Sequence, residues 1–204
     1  MKKMRVHVIT RVNLKYDPDF VFTKERLELL KTKVKDAMRA QSFKDFKRIG
    51  LVDWPSAKHY MSDLFDIFDY ILPSYKWYLE AFQWKEVFSI RLDSDDIPKS
   101  WYIQTLIDGI DRNLDIQLVV ANIWTDHNTN TWEAIEVQVD YPIWFFWLYE
   151  KNLVKWCYEW DHKKMDYNTK YTSEYSQRSL WTRNIHWENR GSKSLLYKYQ
   201  KNAI

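Results

Sequence analysis

The sequence predicts an α/β fold: a mostly parallel central sheet flanked by helices, with a small mixed C-terminal part. Three observations predict it. Apolar β-branched runs alternate with segments of helical periodicity through the first 123 residues, the connections between them are short, and polar clusters follow several of the apolar runs. Alternation of this kind places helices on both faces of a parallel sheet. A length of 204 residues suits one domain with a sizeable core rather than two full domains.

Residues 6–14 read as the first strand, with Val6, Val8 and Val12 among its apolar positions. Thr23 is the expected cap of a helix in which Leu27, Leu30, Val34 and Met38 recur at helical spacing, while Glu25, Arg26 and Lys31 are polar. Residues 47–52 form a second strand that runs into Asp53-Trp54-Pro55. Tyr60, Leu64 and Phe68 then share a helical face, residues 71–73 suit a short third strand, and residues 77–83 a short helix. Residues 86–92 (EVFSIRL) suit a central strand, with Asp93-Ser94-Asp95-Asp96 just beyond its carboxyl end. Residues 100–113 are amphipathic, with Ile103, Leu106, Ile107 and Ile110 in register. Residues 116–123 read as one apolar strand, and residues 131–139 alternate like another. Pro142 is expected to open an aromatic helix reaching about residue 152. Residues 154–204 mix short strands and polar turns.

Composition excludes several functions. Three glycines rule out a Gly-rich phosphate loop, so phosphate binding would need a metal, cationic side chains or a helix N-terminus. A net charge of +3, with the 31 basic and 28 acidic residues intermixed, gives no footprint for nucleic acid. The single cysteine, Cys157, excludes an internal disulfide and makes a zinc finger implausible. The longest apolar run, 142–149, is too short to span a bilayer, and the N-terminal apolar stretch is too short for a signal peptide. Aromatic residues, with 12 Trp among them, are abundant. Trp124, Trp132, Trp144, Trp147 and Trp160 suit either a sugar-stacking platform or the core of a Gly-poor domain.

In parallel sheets, ligands bind at the carboxyl ends of the strands. Three polar clusters fall at such ends: Thr10-Arg11-Val12-Asn13, Asp53, and the acidic turn 93–96. Three carboxylates within four residues at the tip of a buried strand are costly unless something neutralises them. Mg²⁺ or Mn²⁺ would do so, because both take one or two carboxylates together with substrate phosphates. An acidic turn that caps a helix near Pro98 is the competing reading. The apolar strand before the turn and a candidate second ligand downstream favour the metal.

These elements carry a resemblance. The string Phe88 to Asp96 (FSIRLDSDD) resembles the Asp-x-Asp segment of GT-A glycosyltransferases, and more specifically that of a rhamnosyltransferase family. That family also has a first strand ending in Thr-Arg-x-Asn, as in Thr10-Arg11-Val12-Asn13, and a late Trp followed by His and Asn, as in Trp181, His186 and Asn189. The chain is similar as well to the N-terminal glycosyltransferase domain of a large chlorella-virus-encoded protein. It departs from the family at Trp187-Glu188, where a small Gly-containing segment is usual.

The resemblance implies a GT-A fold, with residues 1–123 as the nucleotide-binding half and 124–204 as the acceptor-side half. It implies metal-dependent, inverting transfer from a UDP-sugar, such as UDP-glucose or UDP-L-rhamnose, to a glycan or glycoprotein acceptor. Asp95 and His186 would then hold Mn²⁺ or Mg²⁺. Asp93 would contact the donor and reach the metal through water, with Ser94 beside it. Arg91, Arg11 or Arg183 would face the phosphates, and Thr10, Arg11, Asn13 and Asp53 would line the base end. An inverting enzyme needs a general base. Asp140 is the choice here, with Asp126 and Glu133 as alternatives. The expected location is the cytoplasm, that of the host for a virus-encoded chain, and the chain is expected to be part of a longer multidomain protein. Clustered aspartates also serve phosphatases and nucleotidyltransferases, but a dehalogenase-type nucleophile normally sits on the first strand. A carbohydrate-binding module would usually be all-β, which the helical periodicity opposes.

Overall fold

The computed structural model describes residues 5–12, 21–52, 54–82, 87–112, 118–121, 123–128, 134–138, 144–148, 173–175 and 179–185. Strand β1 (Arg5–Val12) is buried without interruption from Val6 to Thr10, the signature of a strand covered on both faces. It pairs in parallel with β2 (Phe46–Val52) on one side and β4 (Val87–Asp93) on the other. Strand β3 (Tyr70–Leu72) extends the sheet beyond β2, also in parallel. The chain therefore builds outward from β1 to β3 and then returns to the opposite side of β1 with β4. Such a reversal is a topological switch point, here between the ends of β1 and β4.

Alternating side chains divide the core. Val6, Val8 and Val12 of β1, with Phe88, Ile90 and Leu92 of β4, face one layer of helices. That layer comprises α1 (Val21–Leu29), a π-helical stretch (Leu30–Val34), α2 (Lys35–Arg39), α3 (Trp54–Ile67) and α5 (Tyr102–Arg112). Leu30, Val34, Leu64, Ile103 and Leu106 are fully or almost fully buried there. Each such side chain contributes about 1.5–3 kcal/mol. On the other face, Ile9, Ile49 and Leu51 pack against Tyr75 and Tyr78 of α4 (Tyr75–Phe82). Gly50 admits the ring of Phe68, because a Cβ there would lie 2.8 Å from Phe68 Cδ2.

The seven-stranded sheet continues past β4 with β9 (Trp144–Leu148), β6 (Leu118–Ala121) and β10 (Ser173–Tyr175). Strand β9 runs antiparallel to both β4 and β6. The helix expected after Pro142 is thus replaced by a strand at 144–148. Five consecutive apolar residues, four of them aromatic, suit a strand with a neighbour on each side as well as they suit a buried helix, and periodicity cannot separate the two. The first helix begins at Val21, which puts Thr23 in its first turn rather than at its cap. Packing along a whole helix outweighs one capping side chain in setting where it starts.

The single strand expected at 116–123 is divided. Strand β6 joins the large sheet, whereas β7 (Ile123–Asn128) joins a second, four-stranded one in the order β5-β11-β7-β8. That sheet is mixed: β5 (Asp96–Pro98) and β8 (Ala134–Gln138) run antiparallel to their neighbours, while β11 (Trp181–Ile185) runs parallel to β7. The sheets interleave along the chain, since β5 enters the small one before β9 and β10 complete the large one. Among the described residues no helix is long and apolar enough to cross a membrane.

Candidate active site

The switch point brings two of the sequence clusters together. Along β1 and β4 the paired positions are His7 with Ser89, Ile9 with Arg91, Thr10 with Leu92, and Arg11 with Asp93. Arg11, Arg91 and Asp93 therefore share one face at the carboxyl ends of adjacent strands. Arg11 is exposed and Asp93 half-buried, whereas Thr10 is buried on the opposite face. Asn13 and Asp53 lie outside the described residues.

The acidic turn is the corner at which the chain leaves the large sheet for the small one. Asp93 ends β4, Ser94 and Asp95 make the turn, and Asp96 starts β5. Arg91 Nε lies 3.1 Å from Asp93 Oδ1, and the Tyr102 hydroxyl donates to the Arg91 carbonyl at 2.8 Å. On the far side of the turn, Arg26 Nη1 lies 3.0 Å from Asp95 Oδ2 and donates to Ser94 Oγ at 3.1 Å. Asp96 and Ser94 are buried. The like charge of the turn is thus countered from within the chain, by one guanidinium on the same strand and one from a distant helix.

The sequence groups Arg26 with Glu25 and Lys31 as the polar residues of its helix, yet it is 8% exposed. Its spacing holds the clue: Arg26, Leu30, Val34 and Met38 lie four residues apart, and all four are buried. In a regular α-helix such a row drifts by about 40° per step. The wider turn of the π-helical stretch at Leu30–Val34 takes up part of that drift and keeps the row facing inward. A charged side chain continuing an apolar row needs a partner inside. Here the partners are Ser94 and Asp95.

The strand after the turn is tied down by backbone and side-chain bonds. Gln41, fully buried, donates from Nε2 to the Lys99 carbonyl at 2.8 Å and accepts the Ile103 N–H at 3.1 Å, which satisfies an N–H in the first turn of α5. Lys99 N donates to the Leu180 carbonyl at 2.9 Å, and Trp101 Nε1 to the Ser179 carbonyl at 3.2 Å. Strand β11 lies against β5, with Trp181 opposite Pro98 and Arg183 opposite Asp96. The late Trp181 element is therefore beside the acidic turn. One row of paired positions crosses the small sheet from Asp96 through Arg183 to Asp126. His186, Asn189, Glu133 and Asp140 lie outside the described residues.

Among the described residues, no group of three or more His, Cys, Asp or Glu side chains could hold a metal ion on its own. The donor set at the turn nonetheless fits Mg²⁺ or Mn²⁺. It offers carboxylate oxygens only, and these ions take one or two carboxylates with the remaining positions filled by water and phosphate.

No protein-family model matches the chain, and no curated protein matches it. Solved structures do. The structure of S. aureus TarS residues 1–349 superposes with a TM-score of 0.50 at 10% identity, covering 89% of this chain and 61% of that one. The same TarS fragment in complex with UDP gives a TM-score of 0.50 at 12% identity over the same shares. A longer TarS structure matches 62% of this chain with a TM-score of 0.40. The chain spans about three fifths of the TarS fragment and 22% of the longer structure. At this identity the likeness speaks for the fold. The chain has a GT-A-like α/β fold, similar in structure to TarS.

Proposed function

We propose that this chain is a glycosyltransferase that moves a sugar from a UDP-sugar to a hydroxyl of a glycan acceptor, with the donor diphosphate at the Asp93–Asp96 turn. One observation carries the reading: the acidic turn lies at the switch point, beside Arg11, in a fold shared with a protein solved in complex with UDP.

In this reading Asp95 and His186 would hold Mn²⁺ or Mg²⁺, and Asp93 would contact the donor and reach the ion through water. The bound ion would stabilise charge on the leaving diphosphate as a Lewis acid. The chain's own residues do the rest. Arg11 and Arg91, on one face at the strand ends, direct charge-assisted hydrogen bonds at the phosphates. Asn13 and Asp53 meet the nucleotide base, Thr10 is buried on the opposite face and does not reach it, and Ser94 is held against Arg26 so that the turn keeps its shape. The sugar C1–O bond breaks with its electron pair leaving on UDP, the acceptor oxygen bonds to C1, and its proton passes to a carboxylate. Asp140 is the proposed base, and Asp126, in register with Arg183 beside the turn's strand, is its rival.

Isothermal titration with UDP in Mn²⁺, in Mg²⁺ and in EDTA tests the reading. Binding should tighten at least tenfold with either ion, on the order of 1.4 kcal/mol. A screen of UDP-glucose, UDP-L-rhamnose and other nucleotide sugars for slow hydrolysis then identifies the donor. UDP binding that ignores EDTA, or glycan binding without nucleotide, overturns it.

A further inference from the structure

We propose that Arg26 is a positioning residue that sets how tightly the acidic turn takes a divalent cation, by holding Asp95 in an ion pair which that cation must displace or share. The inference rests on the reading of the turn as a metal and diphosphate site.

Three features distinguish Arg26 from an ordinary surface partner. Its guanidinium is anchored at two points, Ser94 Oγ at 3.1 Å and Asp95 Oδ2 at 3.0 Å. The pair is largely screened from water, with side-chain exposures of 9% for Arg26 and 13% for Asp95. Finally, Arg26 lies on the buried row with Leu30, Val34 and Met38, and the π-helical stretch that follows packs against β5. The Arg26 guanidinium is thus held at the turn by the core. Asp93 differs: its partner Arg91 rides on the same strand, and the two are 32% and 17% exposed.

A fixed positive charge beside Asp95 works against any cation arriving alone, and does so strongly where water is scarce. An incoming diphosphate reverses the balance, since its negative charge is attracted both to the metal and to Arg26. The turn should therefore bind a divalent cation weakly by itself and more tightly with UDP. By linkage, UDP must bind more tightly with the cation by the same factor.

The test measures Mn²⁺ binding from the loss of the free-ion electron paramagnetic resonance signal, with and without UDP, for the wild type, Arg26→Gln and Arg26→Lys. Arg26→Gln should bind Mn²⁺ alone about tenfold more tightly than the wild type, since the ion no longer competes for Asp95. The factor by which UDP tightens Mn²⁺ should shrink. Arg26→Lys, which keeps a charge but not the guanidinium whose Nη1 contacts both Ser94 and Asp95, should fall between them and remains decisive if the glutamine variant fails to fold. Mn²⁺ binding no tighter than the wild type's in whichever variants fold overturns the role of Arg26 alone. No Mn²⁺ binding by any of the three, with or without UDP, overturns the metal site and this inference together.

Discussion

Two polar clusters share strand β4, and they differ in almost every physical respect. In the middle of the strand, Ser89 Oγ lies 3.1 Å from the Tyr78 hydroxyl, which lies 2.9 Å from His7 Nδ1. All three residues are at most 3% exposed, and the ring of Phe82 stands edge-on to His7 at 4.6 Å. Four residues later, on the order of 13 Å along the strand, the groups are carboxylates and guanidiniums, and Asp93 opens to solvent. The mid-strand cluster meets its hydrogen-bonding needs within the fold and belongs to its stability. The cluster at the strand end keeps formal charges where the parallel sheet presents its ligand-binding edge. Position along the strand, more than residue type, separates the structural cluster from the proposed site.

Substitutions at each cluster should separate binding from folding. The largest effect belongs to the strand end. Asp95→Asn keeps an acceptor for Arg26 but removes the charge, and metal-dependent UDP binding should fall by at least about 100-fold. Thermal unfolding should show the domain still folded, and unchanged affinity by titration would remove the turn from the mechanism. The mid-strand cluster should respond in the opposite way. Tyr78→Phe strands His7 and Ser89 without a shared hydroxyl and should cost about 2 kcal/mol in chemical denaturation. The metal-dependent UDP affinity of the folded fraction should not change; a loss of affinity would mean that the two clusters are coupled.

The smallest effect should come from an ion pair away from both. Asp69 accepts the Arg48 N–H at 2.7 Å and pairs with Arg48 Nε at 3.2 Å, linking β2 to the start of β3. Burial pushes the Asp69 carboxyl up, but the hydrogen bonds from the Arg48 backbone and guanidinium outweigh it and hold the group below the ordinary carboxylate value. A carboxyl lowered in the folded state adds stability above its unfolded pKa and loses it as pH falls through the folded value. Asp69→Asn should therefore cost under about 1 kcal/mol at neutral pH. The gap to the wild type should close below about pH 4. A gap that widens in acid would reverse the assignment.

Much of the large sheet can be read along the chain. The β-branched run at Val6, Val8 and Val12, the strand ending at Asp93, and the helix bearing Ile103, Leu106 and Ile107 all follow from local periodicity. Arg26 is a subtler case, since its place on the row with Leu30, Val34 and Met38 is written in the spacing, but the partner it finds is not. The run Trp144–Leu148 shows the opposite limit: its apolar character was plain, and its conformation depended on β4 and β6 being there to pair with it.

By itself the sequence determined the alternation of strands and helices, the crowding of three acids at a strand tip, and the want of any glycine-rich phosphate loop. Only the tertiary structure decided that β4 returns beside β1, that Arg11 stands opposite Asp93, that β11 lies along β5, and that Arg26 reaches Asp95. The division has a physical cause. Periodicity and turn chemistry act over a few neighbouring residues. Strand order and ion-pair partners are chosen by burial among segments that are far apart in the chain and meet only when it folds.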